Sequence, residues 1–400
     1  MSTAGSNGTD PIGGEVAGLG AGGLSTAAGA TPASAAGATG TKTSGPGAVG
    51  ATGAGQAAQL RTGEAILRVE HLVVEFPAGQ GRSVHAVSDI SLDVVAGETL
   101  GLVGESGCGK STTGRAIMQM PHPTAGTVRF DGDELTKLHG EALRRVRPRL
   151  QMIFQDPISS LNPRRKVRDI VGEPLEIWGI GTKAARTAKV NEVLEAVGLD
   201  PATAGGRLPH EFSGGQCQRI SIARALVLDP KVLICDEPVS ALDVSVQAQI
   251  INLLEDMKER YNLTMVFIAH DLAVVKNVSD RVAVMYLGKL VELADPQALY
   301  SAPAHHYTAA LLASVPVADP AVRPGLVPDA LRGEPPSPVS PPSGCRFRTR
   351  CPRAEGRCAD EEPLMRPVGP GHFVACHFPI EPSQFEAVGA GASASAPGLA

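Results

Sequence analysis

Apolar positions along the chain fall into two rhythms, and both begin only after a long stretch that has neither. Residues 1–63 are Ala, Gly, Ser and Thr with few charges and no aromatic side chain. Such a segment buries too little apolar surface to offset its ordering entropy, so a disordered tail is expected. From Ile66 to Phe76 β-branched residues crowd together, and Ile90–Val94 alternates apolar with polar, which predicts strands, the second with one wet face. Leu100–Val103 and Leu150–Phe154 read as two more. The rhythm then turns helical from Pro174 to Val197: Val190, Val193, Leu194 and Val197 share one face, and Gly198 stands at the C-cap position. A second helix is predicted near 215–227. Lys231–Cys235 and Thr264–Ala269 are continuous apolar runs, the kind buried on both faces of a parallel sheet. Asp243 can cap a helix whose stripe is Val246, Ile250, Leu253, Leu254 and Met257. Arg281–Leu287 and Leu290–Ala294 bracket Gly288-Lys289 as a hairpin. Strands alternating with helices give an α/β fold with a parallel sheet. The expected division is 1–63 tail, 64–300 main domain, 301–379 extension and 380–400 second tail. The extension holds a proline-rich linker, about 316–342, and a segment with four cysteines.

Composition narrows the class. The formal charge of −5 supplies no global basic field, so no nucleic-acid partner is expected. No run of eighteen apolar residues appears, so no transmembrane helix is expected. No Lys or Arg precedes Lys42, unlike the start of a secretory signal. A cytoplasmic setting follows.

One stretch carries the chemistry. Gly104-Glu105-Ser106-Gly107-Cys108-Gly109-Lys110-Ser111-Thr112 follows a predicted strand and precedes a helical pattern, Ser111–Met120. It reads G-x-x-x-x-G-K-S, the phosphate-binding loop. The glycines let backbone N–H groups curl around an anion, and the helix start adds its positive end. Lys110 offers a charge to the β- and γ-phosphates, and Ser111 a hydroxyl to Mg²⁺. The buried run Val232–Cys235 ends in Asp236-Glu237. Such a strand delivers Asp236 to the Mg²⁺ shell, with Glu237 one residue further, where it can polarise an attacking water. Ser213-Gly214-Gly215-Gln216 makes a second anion-seeking helix start. One loop already cradles the β- and γ-phosphates. The second therefore suggests a dimer in which each chain caps the other's nucleotide.

The order phosphate loop, Gln155, Ser213–Gln216, Asp236-Glu237, Ser240-Ala241-Leu242-Asp243 and His270 resembles the nucleotide-binding domain of ABC transporters over about residues 65–300. Several strings resemble more narrowly the ATP-binding subunits of oligopeptide and dipeptide importers: Phe154-Gln155-Asp156-Pro157, Ser160–Arg164, Pro209–Arg219, Ala269–Leu272 and the tail string Gly344–Pro352. The resemblance implies an ABC-type P-loop fold with a RecA-like core, a helical subdomain and an antiparallel β subdomain, plus the small cysteine-bearing extension. It implies ATP and Mg²⁺ as ligands. Phe76 would stack on adenine, a Phe where many relatives carry Tyr. Gln155 would touch Mg²⁺ and the attacking water, and His270 would hold the γ-phosphate. Ser213–Gln216 would cap the partner's nucleotide, although Phe212 replaces the commoner leucine, and Asp243 would cross the dimer interface. Asp156–Trp178 would dock a coupling helix of the membrane subunits. The implied partners are a second ATP-binding subunit in a heterodimer, two transmembrane permease subunits and an extracytoplasmic solute-binding protein. The implied place is the cytoplasmic face of the membrane. Uptake of peptides is the family expectation; nickel or another solute remains open. A soluble ABC ATPase of DNA upkeep is disfavoured, because about a hundred residues without a heptad run separate the phosphate loop from Ser213. A ribosome-associated ABC protein would carry two phosphate loops, and this chain has one.

Cys345, Cys351, Cys358 and Cys376 are spaced C-x5-C-x6-C-x17-C, without the C-x-x-C of a zinc ribbon. Some dipeptide-importer relatives carry a 4Fe–4S cluster here. A cluster, another metal and four free cysteines in a packed appendix all remain open.

Overall fold

The computed structural model describes residues 59–61, 64–314 and 333–381. The expected tails lie mostly outside these residues. Gln59 and Arg61, assigned to the first tail by composition, are held against the domain. The Arg61 guanidinium binds Asp93 at 2.7 Å and Glu98 at 2.5 Å.

Two sheets form the body. Strands β1 (Leu67–Pro77), β2 (Ser83–Val94), β4 (Ala125–Phe130) and β5 (Asp133–Glu134) make an antiparallel sheet in the order β2-β1-β4-β5. The larger sheet runs, edge to edge, Met365–Gly369, His372–Ala375, Lys289–Ala294, Arg281–Tyr286, Thr99–Val103, Thr264–Ala269, Val232–Asp236 and Leu150–Ile153. Its parallel part is β6 (Leu150–Ile153), β7 (Val232–Asp236), β8 (Thr264–Ala269), β3 (Thr99–Val103) and β9 (Arg281–Tyr286). The predicted hairpin is present as β9 and β10 (Lys289–Ala294). The reason β7 and β8 read as unbroken apolar runs is visible in their packing. Leu233, Cys235, Met265 and Phe267 face one core, shared with the helices. Val232, Ile234, Val266 and Ile268 face the other, shared with the antiparallel sheet.

Among the helices read from the sequence, one is placed differently. Pro174 does not open a helix; it lies inside Val167–Ile177. Val167, Ile170, Val171 and Leu175 are buried on one side of that helix, and this burial outweighs the one hydrogen bond a proline removes. Gly179 and Gly181, both at positive φ, then break the chain before Lys183–Ala196. Asp243 caps Val244–Tyr261 as predicted, accepting the Val246 N–H at 3.0 Å.

The cysteine-bearing extension is no detached appendix. Its hairpin, β11 (Met365–Gly369) and β12 (His372–Ala375), pairs through β12 with β10 and prolongs the large sheet. Glu292 on β10 is fully buried and accepts from the Ala304 and His305 amides at 2.6 and 2.9 Å, with His372 Nε2 at 2.7 Å. One carboxylate thereby fastens β10, the 304–305 turn and β12 together.

Candidate functional site

The phosphate loop connects β3 to the helix Lys110–Ile117, capped by Gly109 in the left-handed region at φ 107°. A Cβ at Gly104 would stand 2.1 Å from the Met285 carbonyl oxygen, and one at Gly109 would stand 2.2 Å from that of Ala86. The loop therefore lies flat against β9 and β2 only because these positions are glycine. Lys110 is 4% exposed and folds back over its own loop, its Nζ donating to the Gly104 and Glu105 carbonyls at 2.8 and 3.0 Å.

The carboxylates arrive from the neighbouring strand. Asp236, at the end of β7, is fully buried and accepts from Ser111 Oγ at 2.5 Å and Arg115 Nη2 at 3.3 Å. Ser111 and Asp236 are hard oxygen donors already side by side, which fits an Mg²⁺ ion. Glu237, at φ 47°, turns off the strand end, and its N–H donates to the Ile268 carbonyl at 3.0 Å. Its carboxylate collects the site: Gln155 Nε2 at 2.9 Å, His270 Nδ1 at 3.3 Å and Lys110 Nζ at 3.9 Å. A cavity of about 350 Å³ opens over this group. It is lined by Phe76, Ser106–Gly107, Gly109–Thr112, Gln155 and Glu237. Gln155, Asp236, Glu237, His270 and the phosphate loop, scattered over 160 positions, are thus assembled at one strand edge.

Other predicted residues stand elsewhere. Ser213 and Gln216 are exposed and close a capping box on Gly214–Leu226: the Gln216 N–H donates to Ser213 Oγ at 3.3 Å, and the Ser213 N–H to Gln216 Oε1 at 3.0 Å. None of Ser213–Gln216 lines the cavity. Asp243 is likewise exposed, and its acidity is strengthened mainly by the Ser245 hydroxyl, which donates to it. Of the three readings left open for the four cysteines, the cluster finds no support in the structure. Among the described residues no group of three or more His, Cys, Asp or Glu side chains is placed to hold a metal. Cys345, Cys351, Cys358 and Cys376 are free thiols. Burial pushes the Cys345 thiol up to about 11 and the Cys376 thiol up to about 12.

Three participants escaped the sequence. Pro338, from the stretch read as linker, lines the cavity, its carbonyl accepting the His85 N–H at 2.9 Å. The Tyr307 hydroxyl accepts the Glu105 N–H at 2.8 Å. Arg350 forks onto the Glu105 carboxylate at 2.7 and 3.0 Å, which holds the guanidinium above its usual range. Only Arg350 had a signal, its place in the family-like string Gly344–Pro352.

Fold and site define a phosphate-loop nucleoside triphosphatase. The ABC transporter family model matches residues 87–240, and the model of the oligopeptide/dipeptide transporter C-terminal region matches 291–358. The chain is 52% identical over 314 residues to a putative oligopeptide transport ATP-binding protein, YkfD, of Bacillus subtilis, covering 78% of this chain and 95% of that one. It is 48% identical over 322 residues to the oligopeptide transport ATP-binding protein OppF of Haemophilus influenzae, covering 78% and 97%. Among solved structures, cbiO1 of Clostridium perfringens, part of an ABC transporter complex, matches with TM-score 0.53 at 27% identity, covering 60% of this chain and 92% of that one. A dimeric ATP-binding cassette bound to ADP and Pi matches with TM-score 0.53 at 27% identity, covering 57% and 98%. The chain belongs to the ATP-binding subunits of ABC transporters, enzymes that couple ATP hydrolysis to transport.

Proposed function

We propose that this chain powers the import of oligopeptides or dipeptides as one ATPase subunit of a membrane complex. The observation that carries the catalytic part is the convergence of Lys110, Gln155 and His270 on the Glu237 carboxylate beside the phosphate loop. In this reading Phe76 takes the nucleobase, and the loop amides with Lys110 take the β- and γ-phosphates. Ser111 and Asp236 would hold Mg²⁺, which supplies charge neutralisation on the phosphates when bound. Glu237 accepts a proton from the attacking water, and Gln155 and His270 orient that water and the γ-phosphate. The exposed Ser213–Gln216 start and Asp243 face a second ATP-binding subunit, which completes the site head to tail. Closing and reopening of this pair moves the permease subunits through the surface Asp156–Trp178.

Peptide as cargo is supported by the match of residues 291–358 to the oligopeptide/dipeptide transporter C-terminal region. No helix among the described residues is long and apolar enough to cross a membrane. Membrane attachment is therefore assigned to two permease subunits at the cytoplasmic face, fed by an extracytoplasmic solute-binding protein. The test is ATP-driven uptake of labelled peptides by vesicles holding the cognate complex. Uptake that is abolished by Lys110→Ala supports the proposal; uptake of nickel or another solute, but of no peptide, refutes it. The heterodimer fails if the purified chain alone hydrolyses ATP at the full rate of the complex.

A further inference from the structure

Glu105 is gripped at every polar group it owns. Its N–H donates to the Tyr307 hydroxyl at 2.8 Å, and its carbonyl accepts from Lys110 Nζ at 3.0 Å. Its carboxylate takes both arms of Arg350, at 2.7 and 3.0 Å. The Arg350 side chain is 4% exposed against 22% for Glu105, so the pair is shielded from water mainly on the arginine side. One aromatic ring faces that arginine, backed by two more. Tyr286 lies 5.9 Å below the guanidinium, and Tyr286, Tyr307 and Phe347 pack on one another at 4.6 to 5.4 Å. The same C-terminal loop is anchored a second time, where Arg346 donates to the Leu287 carbonyl. Next to that anchor the Gly288 N–H donates to the Cys108 carbonyl at 2.8 Å, again on the phosphate loop. None of Tyr286, Tyr307, Arg346 and Arg350 lines the nucleotide cavity.

We propose that Arg350 is a positioning residue of the nucleotide site: through Glu105 it holds the phosphate loop, so the C-terminal region sets the affinity for ATP. Two physical effects act together. The bidentate fork fixes Glu105, and with it the carbonyl that receives Lys110. The guanidinium also neutralises a carboxylate standing in a loop that must accept a polyanion. Without Arg350, Glu105 is left as an unpaired charge that repels the incoming phosphates. Lysine at the same position keeps the charge but not the fork.

The proposal rests on the reading of the cavity as the ATP site, and the experiment separates the two. The full-length chain is titrated with a fluorescent ATP analogue labelled on the ribose, and steady-state hydrolysis gives KM and kcat. If the wild-type chain does not bind the analogue, the reading of the cavity fails. Given that binding, Arg350→Ala is expected to weaken it about tenfold or more and to raise KM far more than it lowers kcat. Arg350→Lys is expected to fall between. Arg350→Ala combined with Glu105→Gln is expected to recover most of the loss, because the repulsive charge goes too. Removing the partner also relieves any loss of stability, so a merely structural arginine is distinguished by the KM-against-kcat split, which it would not produce. Wild-type affinity in Arg350→Ala, or a double variant no tighter than the single one, overturns the proposal. If Arg350→Ala does not fold, Arg350→Lys decides the matter, since an unchanged affinity there overturns it equally.

Discussion

Replacing Glu237 by Gln isolates the role assigned to its charge. The side chain keeps its length, and its amide oxygen can still accept from Gln155, which now stands at 2.9 Å. Little stability should therefore change. What disappears is a base and an anion. A positioned general base contributes about 10²- to 10⁴-fold to rate, or roughly 3–5 kcal/mol on the barrier. Turnover is predicted to fall by that factor, measured as phosphate release at saturating ATP. Binding should move the other way. Lys110 Nζ lies 3.9 Å from the carboxylate. A unit pair at that distance attracts by about 4 kcal/mol gross at an effective dielectric near 20. Even a quarter of this, about 1 kcal/mol released to the phosphates, tightens ATP about fivefold. The variant should therefore bind ATP at least as well as wild type and accumulate as an ATP-bound dimer on size-exclusion chromatography. Turnover within threefold of wild type would refute Glu237 as the base. Loss of ATP binding would refute the electrostatic part.

Three further outcomes are predicted. Glu292→Ala strips the only carboxylate shared by the Ala304 and His305 amides and His372. It should cost about 3–5 kcal/mol in urea denaturation, and a loss under about 1 kcal/mol would show the network to be dispensable. His305 is buried, and desolvation, helped by His306, pushes it down to about 3 from 6.5. The folded chain then keeps it neutral while the unfolded chain takes up a proton below pH 6.5. Stability should thus fall by about 1.4 kcal/mol per pH unit below that point, about 2 kcal/mol by pH 5. His305→Asn, which can still accept the Tyr307 N–H, should lose this part of the slope, and identical slopes from pH 7 to 5 would reject the assignment. Pro338→Gly removes an apolar wall of the cavity that Phe76 also lines and should weaken ATP by about 1 kcal/mol while leaving competition by inorganic triphosphate unchanged. Equal weakening of both would place Pro338 at the phosphates instead.

What the sequence made legible was local or strongly periodic. The phosphate loop is a strand, a turn and a helix in one contiguous run, and Asp236-Glu237 sits at the end of a strand whose apolar face pattern announces its depth. The helix Val167–Ile177 was obscured because Pro174 is a breaker by local rules and is overruled by the burial of Val167, Ile170 and Val171. The pairing of β10 with β12 joins Glu292 to Val374 across a stretch with no periodic signal. Such contacts depend on topology, and short-range pattern does not encode them.

The C-terminal string shows why residue type alone misdirects. Its thiols are the chemically conspicuous groups, and they raised a metal as one of three open readings. The fold leaves Cys345 and Cys351 partly exposed, with no metal site among the described residues, and brings Arg350 of the same string onto the phosphate loop. Sequence distance hid this contact, since Glu105 and Arg350 are 245 positions apart. A division of the chain at residue 300 would separate Glu105 from both Tyr307 and Arg350. It would leave an amide and a carboxylate of the phosphate loop without the groups that hold them. The candidate site is therefore supported by residues from Phe76 to Arg350, and the region after β10 holds the phosphate loop from behind, while the helix start at Lys110 and the end of β7 before Glu237 form the cavity itself.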